Sequence, residues 1–270
     1  MGGGNLRNGQ SAVSDESPIS EMPASSNSVK IMIPLYSYPT WYNQETYFWK
    51  QVVEAAKQVP ITAVINPNNG PDGGPPNKDY LKGLADLRTA KMTILGYVFT
   101  NYGKRNLADV KVDIDLYEKH YKLDGIFLDE AASSADKLDY YQEIYNYIKA
   151  KSHLKLVVLN QGTHADEGYL TRPAADITII SENYPTAWEQ YQPLPYVKRY
   201  DKNRFACLIH TVLDVETMKK QINLASDRNV GYVYITDDST SSGDGDPWNS
   251  LPSYWSQEVD YVRELNQEKI

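Results

Sequence analysis

Eight short apolar runs recur along this chain, and their spacing constrains the fold more than any other feature. Their starts lie ~23–33 residues apart, about the length of one strand–helix unit. Eight strands that alternate with helices predict an α/β fold, a single (β/α)₈ TIM barrel, whose functional residues gather at the carboxyl ends of the strands. The runs are Val29–Tyr36, Ile61–Pro67, Met92–Phe99, Gly125–Glu130, Leu154–Gly162, Ile177–Tyr184, Arg204–Val212 and Val230–Asp238.

Apolar residues at helical spacing fill most of the gaps between these runs. Asp214 is a good N-cap for one of the helices, whereas the Pro-rich and aromatic segment 185–201 predicts little regular helix. Residues 1–28 are rich in Gly, Ser and Asn and predict a disordered N-terminal tail, so the barrel domain is expected over residues 29–270. Predicted helices cover Glu45–Gln58, Lys78–Thr89, Leu107–Tyr121, Ala135–Lys151, Asp214 to about Arg228, and Ser253–Leu265.

The charge and hydropathy of the chain exclude several classes of partner. The net charge of −8 argues against nucleic acid, which requires a basic surface. No apolar stretch is long enough to span a membrane, and the first residues lack the charged start and apolar core of a signal peptide. The compartment therefore stays open, and we expect a monomer.

Carboxylates end two of the predicted strands. Asp129 and Glu130 close the fourth run, and Glu182 lies near the end of the sixth. Charged groups directly after a buried strand must be solvated, paired or functional. Hydrolysis of a glycosidic bond needs a proton donor and a second carboxylate, so these three are the candidate catalytic residues of a glycoside hydrolase.

Other polar side chains end strands at the same predicted face and are candidates for binding a polysaccharide substrate. Four acidic residues near the eighth run do not follow the calcium-loop pattern, so we expect no metal site and no cofactor. The candidate substrate-binding residues are Tyr36, Asn66, Tyr97, Asn160, His210 and Asp237.

Three segments resemble the spherulation-specific family 4, or spherulin-4-like, proteins. They are Ile65–Pro71, Gly96–Gly103 and Gly125–Glu130, and the similarity spans about Val29 to Leu265. That family is in turn similar to fungal (β/α)₈ hydrolases that cut α-1,4-linked galactosamine or N-acetylgalactosamine in exopolysaccharide. The resemblance implies the acidic pair, the partner Glu182 and an extracellular role. One departure is Asn160-Gln161-Gly162, where the family pattern has Asn-Pro-Gly.

We therefore expect Glu182 to act as the general acid and Asp129 as nucleophile or base, with Glu130 tuning the pair; the first two roles are interchangeable at this stage. A substrate acetamide that attacks in place of a carboxylate is a further option. The alternative from another class is a non-catalytic carbohydrate-binding or structural barrel. A deacetylase or esterase is disfavoured, because the chain shows neither a metal triad nor a Gly-x-Ser-x-Gly elbow.

Overall fold

The computed structural model describes residues 1, 28–241, 243 and 245–267. The tail predicted over residues 1–28 therefore falls, apart from its two end residues, outside the described part. Eight parallel strands close into a barrel in which each strand pairs with the next along the chain and β8 returns to β1. The strands are β1 Lys30–Leu35, β2 Ile61–Ile65, β3 Thr93–Phe99, β4 Gly125–Asp129, β5 Leu156–Asn160, β6 Ile177–Asn183, β7 Phe205–Ile209 and β8 Tyr232–Ile235.

This closed barrel confirms the predicted fold class. Its strands are buried almost throughout, as expected when side chains fill the barrel interior on one face and helices cover the other. That double burial explains why the strands read as continuous apolar runs rather than as alternating patterns. The carboxyl ends of the strands form one end of the barrel, which we call the mouth.

Eight helices, in the described part of the chain, surround the barrel. Asn77 and Asp214 cap α2 and α7, each accepting hydrogen bonds from backbone N–H groups of the first turn. Asp214 thus fills its predicted role. The helices are α1 Phe48–Ala55, α2 Lys78–Thr89, α3 Leu107–Leu116, α4 Leu138–Lys149, α5 Gly168–Thr171, α6 Pro185–Gln190, α7 Val215–Asp227 and α8 Trp255–Gln267.

The segment after β6 differs from the prediction of little regular helix. Pro185 occupies the first position of α6, where its missing N–H is no loss, and Trp188 anchors the helix by burying its indole completely. A 3₁₀ turn follows over Pro195–Arg199. Proline in this segment therefore starts helical structure instead of preventing it.

The predicted helix 107–121 is an α-helix only over its first part. Beyond α3 the backbone widens into a π-helix over Tyr117–Tyr121. Tyr117 is buried against Gly96 of β3, where a Cβ atom would lie 2.7 Å from its ring, and its hydroxyl donates to the Tyr97 carbonyl at 3.0 Å. This contact supports β3 beneath the mouth. Within the described ranges, no helix is both long and apolar enough to cross a membrane.

Candidate active site

Four neighbouring strands bring polar side chains together at the mouth. Tyr97 comes from β3, Asp129 from the end of β4, Asn160 from the end of β5 and Glu182 from β6. The Tyr97 hydroxyl donates to Asp129 Oδ2 at 2.8 Å, and the ring of Tyr97 stacks on Phe127 inside the barrel. Because Asp129 shares the face of Phe127, its carboxylate points toward the barrel axis.

A single amide group joins the two carboxylates. Asn160 Nδ2 donates to Asp129 Oδ1 at 2.7 Å and to Glu182 Oε2 at 2.5 Å. The two bonded oxygens therefore lie at most about 5.2 Å apart, the sum of these two distances. The amide nitrogen faces the carboxylates because they are acceptors, which leaves Asn160 Oδ1 buried without a partner among the described residues.

A β-bulge in β6 sets the direction of the Glu182 side chain. The pairing of β6 with β7 shifts by one residue between Ile179 and Ser181, so that Glu182 pairs with Leu208. Without that shift Glu182 would pair with Ile209, one position further along β7. Since adjacent residues of a strand face opposite sides, the bulge decides whether this carboxylate faces Asn160 or turns away from it.

Burial raises the pKa of both carboxylates. Burial and the neighbouring Asp129 charge together raise the pKa of Glu182 to about 7, against the opposing hydrogen bonds from Asn160 and Trp248. Burial also raises the pKa of Asp129, although Tyr97, Asn160 and the Glu130 N–H stabilise its charged form. At neutral pH this favours a protonated fraction on Glu182.

Trp248 reaches the site from the loop that follows β8. The top of the barrel is open between β1 and β8, whose pairing covers only Lys30–Ile31 and Tyr232–Val233. Trp248 lies in this gap, and its carbonyl accepts the Tyr36 N–H at 3.4 Å. Its indole N–H donates to Glu182. The same residue of this loop therefore fills the gap between β1 and β8 and supplies a hydrogen-bond donor to the Glu182 carboxylate.

Glu130 lies beside the paired carboxylates and has an unusual backbone conformation. Its φ is +47°, in the left-handed region, and its carbonyl accepts the Tyr102 N–H at 2.6 Å and the Thr100 hydroxyl at 2.9 Å. Strained conformations of this kind occur at functional sites where the surroundings enforce them. Glu130 and the paired carboxylates border an open cavity of about 260 Å³.

Two predicted binding residues, Tyr36 and Asn66, make different contacts at the mouth. The Tyr36 ring packs edge-on against Tyr97, with 5.6 Å between centroids, and burial together with the nearby Asp129 charge raises the pKa of its hydroxyl. Asn66 instead holds its own loop, because its Oδ1 accepts the Gly70 N–H at 2.9 Å. Tyr36 thus belongs to the carboxylate cluster, whereas Asn66 shapes the loop beside it.

The last two predicted binding residues, His210 and Asp237, also differ in their contacts. The His210 ring lies edge-on to Trp248, with 5.8 Å between centroids, and burial lowers its pKa, which favours the neutral imidazole. Asp237 accepts hydrogen bonds from the Ser253 N–H and hydroxyl ahead of α8. His210 therefore supports the tryptophan that contacts Glu182, while Asp237 is committed to the chain that enters the last helix.

Several residues of the site were not among the sequence predictions. Tyr102 and Gly162 line the cavity beside the carboxylates, and Trp248 donates to one of them. Tyr102 lies within the Gly96–Gly103 segment that carries the family resemblance, and membership of that segment could have identified it as a candidate site residue. Trp248 lies in the long loop after β8, and the signal for it is the position of that loop, which follows a strand and so lies at the mouth.

The acidic residues near β8 that the structure describes do not form a metal centre. Asp237 binds Ser253, and Asp238 accepts a hydrogen bond from the Ser250 hydroxyl at 2.7 Å. Asp244 is outside the described residues. Among the residues that the structure describes, no group of three His, Cys, Asp or Glu side chains has the geometry to hold a metal ion.

Comparison with known proteins connects this site to a family. The model of spherulation-specific family 4 matches residues 30–262. Spherulin-4 of Physarum polycephalum is 38% identical over 251 residues, which cover 90% of this chain and 72% of that protein. Both matches span the strands that carry the carboxylates.

Solved structures agree on the architecture. A crystal structure of Sph3 from Aspergillus clavatus in complex with GalNAc is similar with a TM-score of 0.73 and 26% identity, over 87% of this chain and 98% of that one. The endo-1,4-β-mannanase of Rhizomucor miehei has a TM-score of 0.57 at 11% identity, over 88% and 95% of the two chains. The second likeness reflects the fold alone.

Proposed function

The chain belongs to spherulation-specific family 4, and from this premise we propose that it is a glycoside hydrolase acting on an amino-sugar polysaccharide. The likeness to Sph3 supports a carbohydrate-active barrel. The observation that carries the proposal is the pair formed by Asp129 and Glu182, which are held by one amide and have unequal tendencies to ionise. Such a pair meets the two requirements of glycosidic cleavage.

Glu182 is the general acid in this proposal. Its pKa of about 7 keeps a protonated fraction at neutral pH, so it can give a proton to the leaving oxygen. Asp129 stays ionised and faces the barrel axis, where it attacks the anomeric carbon. Glu182 then removes a proton from the water that releases the sugar, which restores both groups.

The separation of the carboxylates supports retention of configuration. Their bonded oxygens are at most about 5.2 Å apart, which is below the ~6.5–9.5 Å that inverting enzymes need for a water molecule and so favours the short separation, ~5–5.5 Å, typical of retaining enzymes. In an α-linked 2-acetamido sugar the acetamide and the leaving group lie on the same face of the ring. The acetamide cannot then attack from the opposite face, which favours Asp129 as the nucleophile.

The substrate is proposed to be a polymer of α-1,4-linked galactosamine and N-acetylgalactosamine, cut within the chain. The GalNAc bound in the related Sph3 structure supports an amino sugar. The net charge of −8 is suited to a polymer that carries free amino groups. Because the mouth is open, a long chain can cross it without threading.

The test is release of reducing ends from this polymer by the purified protein beside Glu182→Gln and Asp129→Asn. Each variant is expected to lower the rate by about 10²–10⁴-fold, the usual contribution of acid–base catalysis. A variant that keeps the full rate would remove its residue from the mechanism. Binding of the polymer with no release by the unmodified protein would identify the alternative, a carbohydrate-binding barrel without turnover.

A further inference from the structure

Exposed aromatic side chains occur on only one face of the described structure. Five aromatic residues are between 39% and 63% exposed, and every one follows the carboxyl end of a strand. Three lie in the loop after β1, one after β3 and one at the end of β6. They are Tyr38, Trp41, Tyr42, Tyr102 and Tyr184. This distribution marks the mouth, because a merely structural use of tyrosine would expose rings around the helices as well.

Two of the three rings after β1 are held in place from the α2 side. Asp79, in the first turn of α2, accepts the Tyr38 hydroxyl at 2.8 Å and the Trp41 indole N–H at 2.8 Å. Asn77 donates to the same hydroxyl at 3.2 Å, and the Tyr38 ring packs edge-on against Tyr80 with 5.6 Å between centroids. The polar edges of both rings are thus satisfied by protein, while substantial parts of the rings remain in solvent.

Ordering exposed side chains opposes their conformational entropy, and here it gains little burial. Tyr42 extends the group, with its ring edge-on to Trp41 at 5.8 Å between centroids. Fixed aromatic faces suit a ligand that presents flat C–H surfaces, because the ring then loses little freedom on binding. Pyranose rings present such surfaces, and the polymer proposed as substrate is built from them.

We propose that Tyr38, Trp41 and Tyr42 form a stacking platform that binds sugar units of the polysaccharide outside the catalytic pair. The platform rests on the proposed function for the identity of its ligand. It stands on the β1 side of the mouth; Tyr102, after β3, lines the cavity of the carboxylates, and Tyr184 follows β6. A polymer that crosses the mouth from the β6 side thereby reaches the platform, whereas a short oligosaccharide at Asp129 and Glu182 need not.

The test measures affinity for a long α-1,4-linked galactosamine/N-acetylgalactosamine polymer and for a short oligosaccharide of the same linkage. All proteins carry Glu182→Gln, so that the probe is not consumed. Adding Trp41→Ala and Tyr42→Ala together is expected to weaken polymer binding roughly fivefold or more, and to weaken binding of the oligosaccharide less. Trp41→Phe keeps a ring but loses the bond to Asp79, and an intermediate loss is expected.

Leu81→Ala is the matched control, because Leu81 is an exposed apolar residue on the same helix as Asp79 but outside the platform. It should bind both probes as Glu182→Gln alone does. Unchanged polymer affinity in the double variant would overturn the platform and leave the hydrolase intact. Loss of affinity without any cleavage by the unmodified protein would keep the platform and overturn the hydrolase. No binding of the polymer at all would overturn both.

Discussion

The carboxylates of Asp129 and Glu182 come from strands two positions apart in the barrel, yet they share one hydrogen-bond donor. A shared donor fixes their separation and also couples their protonation, because the charge on one favours the proton on the other. Glu182 is the better candidate to carry the proton, since burial and the Asp129 charge raise its pKa to about 7, whereas three hydrogen-bond donors stabilise the charged form of Asp129. The acid and the nucleophile are thus distinguished by their surroundings rather than by residue type.

Removing the shared donor should impair catalysis without disturbing the fold. In Asn160→Ala both carboxylates lose a hydrogen bond that holds their position and favours their charged forms. We expect kcat/KM on the polymer to fall by about 10²-fold, the usual consequence of misplacing reacting groups. Asn68→Ala, a change in an exposed loop of the same face, should leave the rate unchanged. An Asn160→Ala enzyme with the original rate would contradict the positioning role.

The pH dependence of activity should follow the protonation of Glu182. Because the acid must carry a proton, activity should fall as the pH rises past about 7. In Trp248→Phe the indole N–H no longer stabilises the charged form, so the pKa of Glu182 rises further and the alkaline limb moves to higher pH. Rates of both proteins measured between pH 5 and pH 9 check this. An alkaline limb that moved to lower pH in the variant would contradict the role of the indole N–H.

The same raised pKa should make the catalytic acid destabilising at alkaline pH. The pKa of Glu182 is 4.5 in the unfolded chain and about 7 in the folded protein. Its contribution to the free energy of unfolding is therefore fully present below pH 4.5 and is lost as the pH rises through 7. Glu182→Gln removes this decline. At pH 8 the variant should melt at a higher temperature than the unmodified protein, with an unfolding free energy greater by on the order of 1–3 kcal/mol, and this gain should vanish toward pH 5.

Glu264→Gln, an exposed position on α8, is the control for that comparison and should show little change with pH. A gain for Glu182→Gln that stays constant from pH 5 to pH 8 would show that its cause is not the ionisation of Glu182.

A further buried carboxyl group, that of Glu258, lies at the open seam between β8 and β1. Glu258 of α8 is fully buried, and its Oε1 accepts the Ile235 N–H at 3.0 Å, at a height where β8 no longer pairs with β1. Glu258→Leu leaves that N–H without an acceptor and should lower the free energy of unfolding by about 1–3 kcal/mol. Glu258→Gln retains the acceptor and should lose less. Equal denaturation midpoints for the two variants would remove the hydrogen bond from the explanation.

The sequence predicted the barrel because strands buried on both faces read as continuous apolar runs, separated by amphipathic helices. It also located Tyr97, Asp129 and Asn160, since polar residues at the ends of parallel strands must meet at one end of the barrel. Each of these positions follows from strand order and strand length alone, which the apolar pattern contains.

Other features depend on structure that no pattern reports. The bulge that directs Glu182 toward Asn160 lies between Ile179 and Ser181, and the sequence pattern of β6 would look the same without it. Asp237 and Asp129 both follow an apolar strand, yet Asp237 binds Ser253 and Asp129 faces the barrel axis. The donor Trp248 comes from an irregular loop 66 positions after Glu182 in the sequence. Tertiary packing decides all three.

The most direct test of this account is the configuration of the sugar first released. Cleavage of the α-1,4-linked galactosamine/N-acetylgalactosamine polymer would be followed by proton NMR of the anomeric signals, before the new reducing ends equilibrate. We expect the α-anomer to form first and the β-anomer to follow later, because the separation of Asp129 and Glu182 suits a double displacement. The β-anomer appearing first, or no release of sugar, would contradict it.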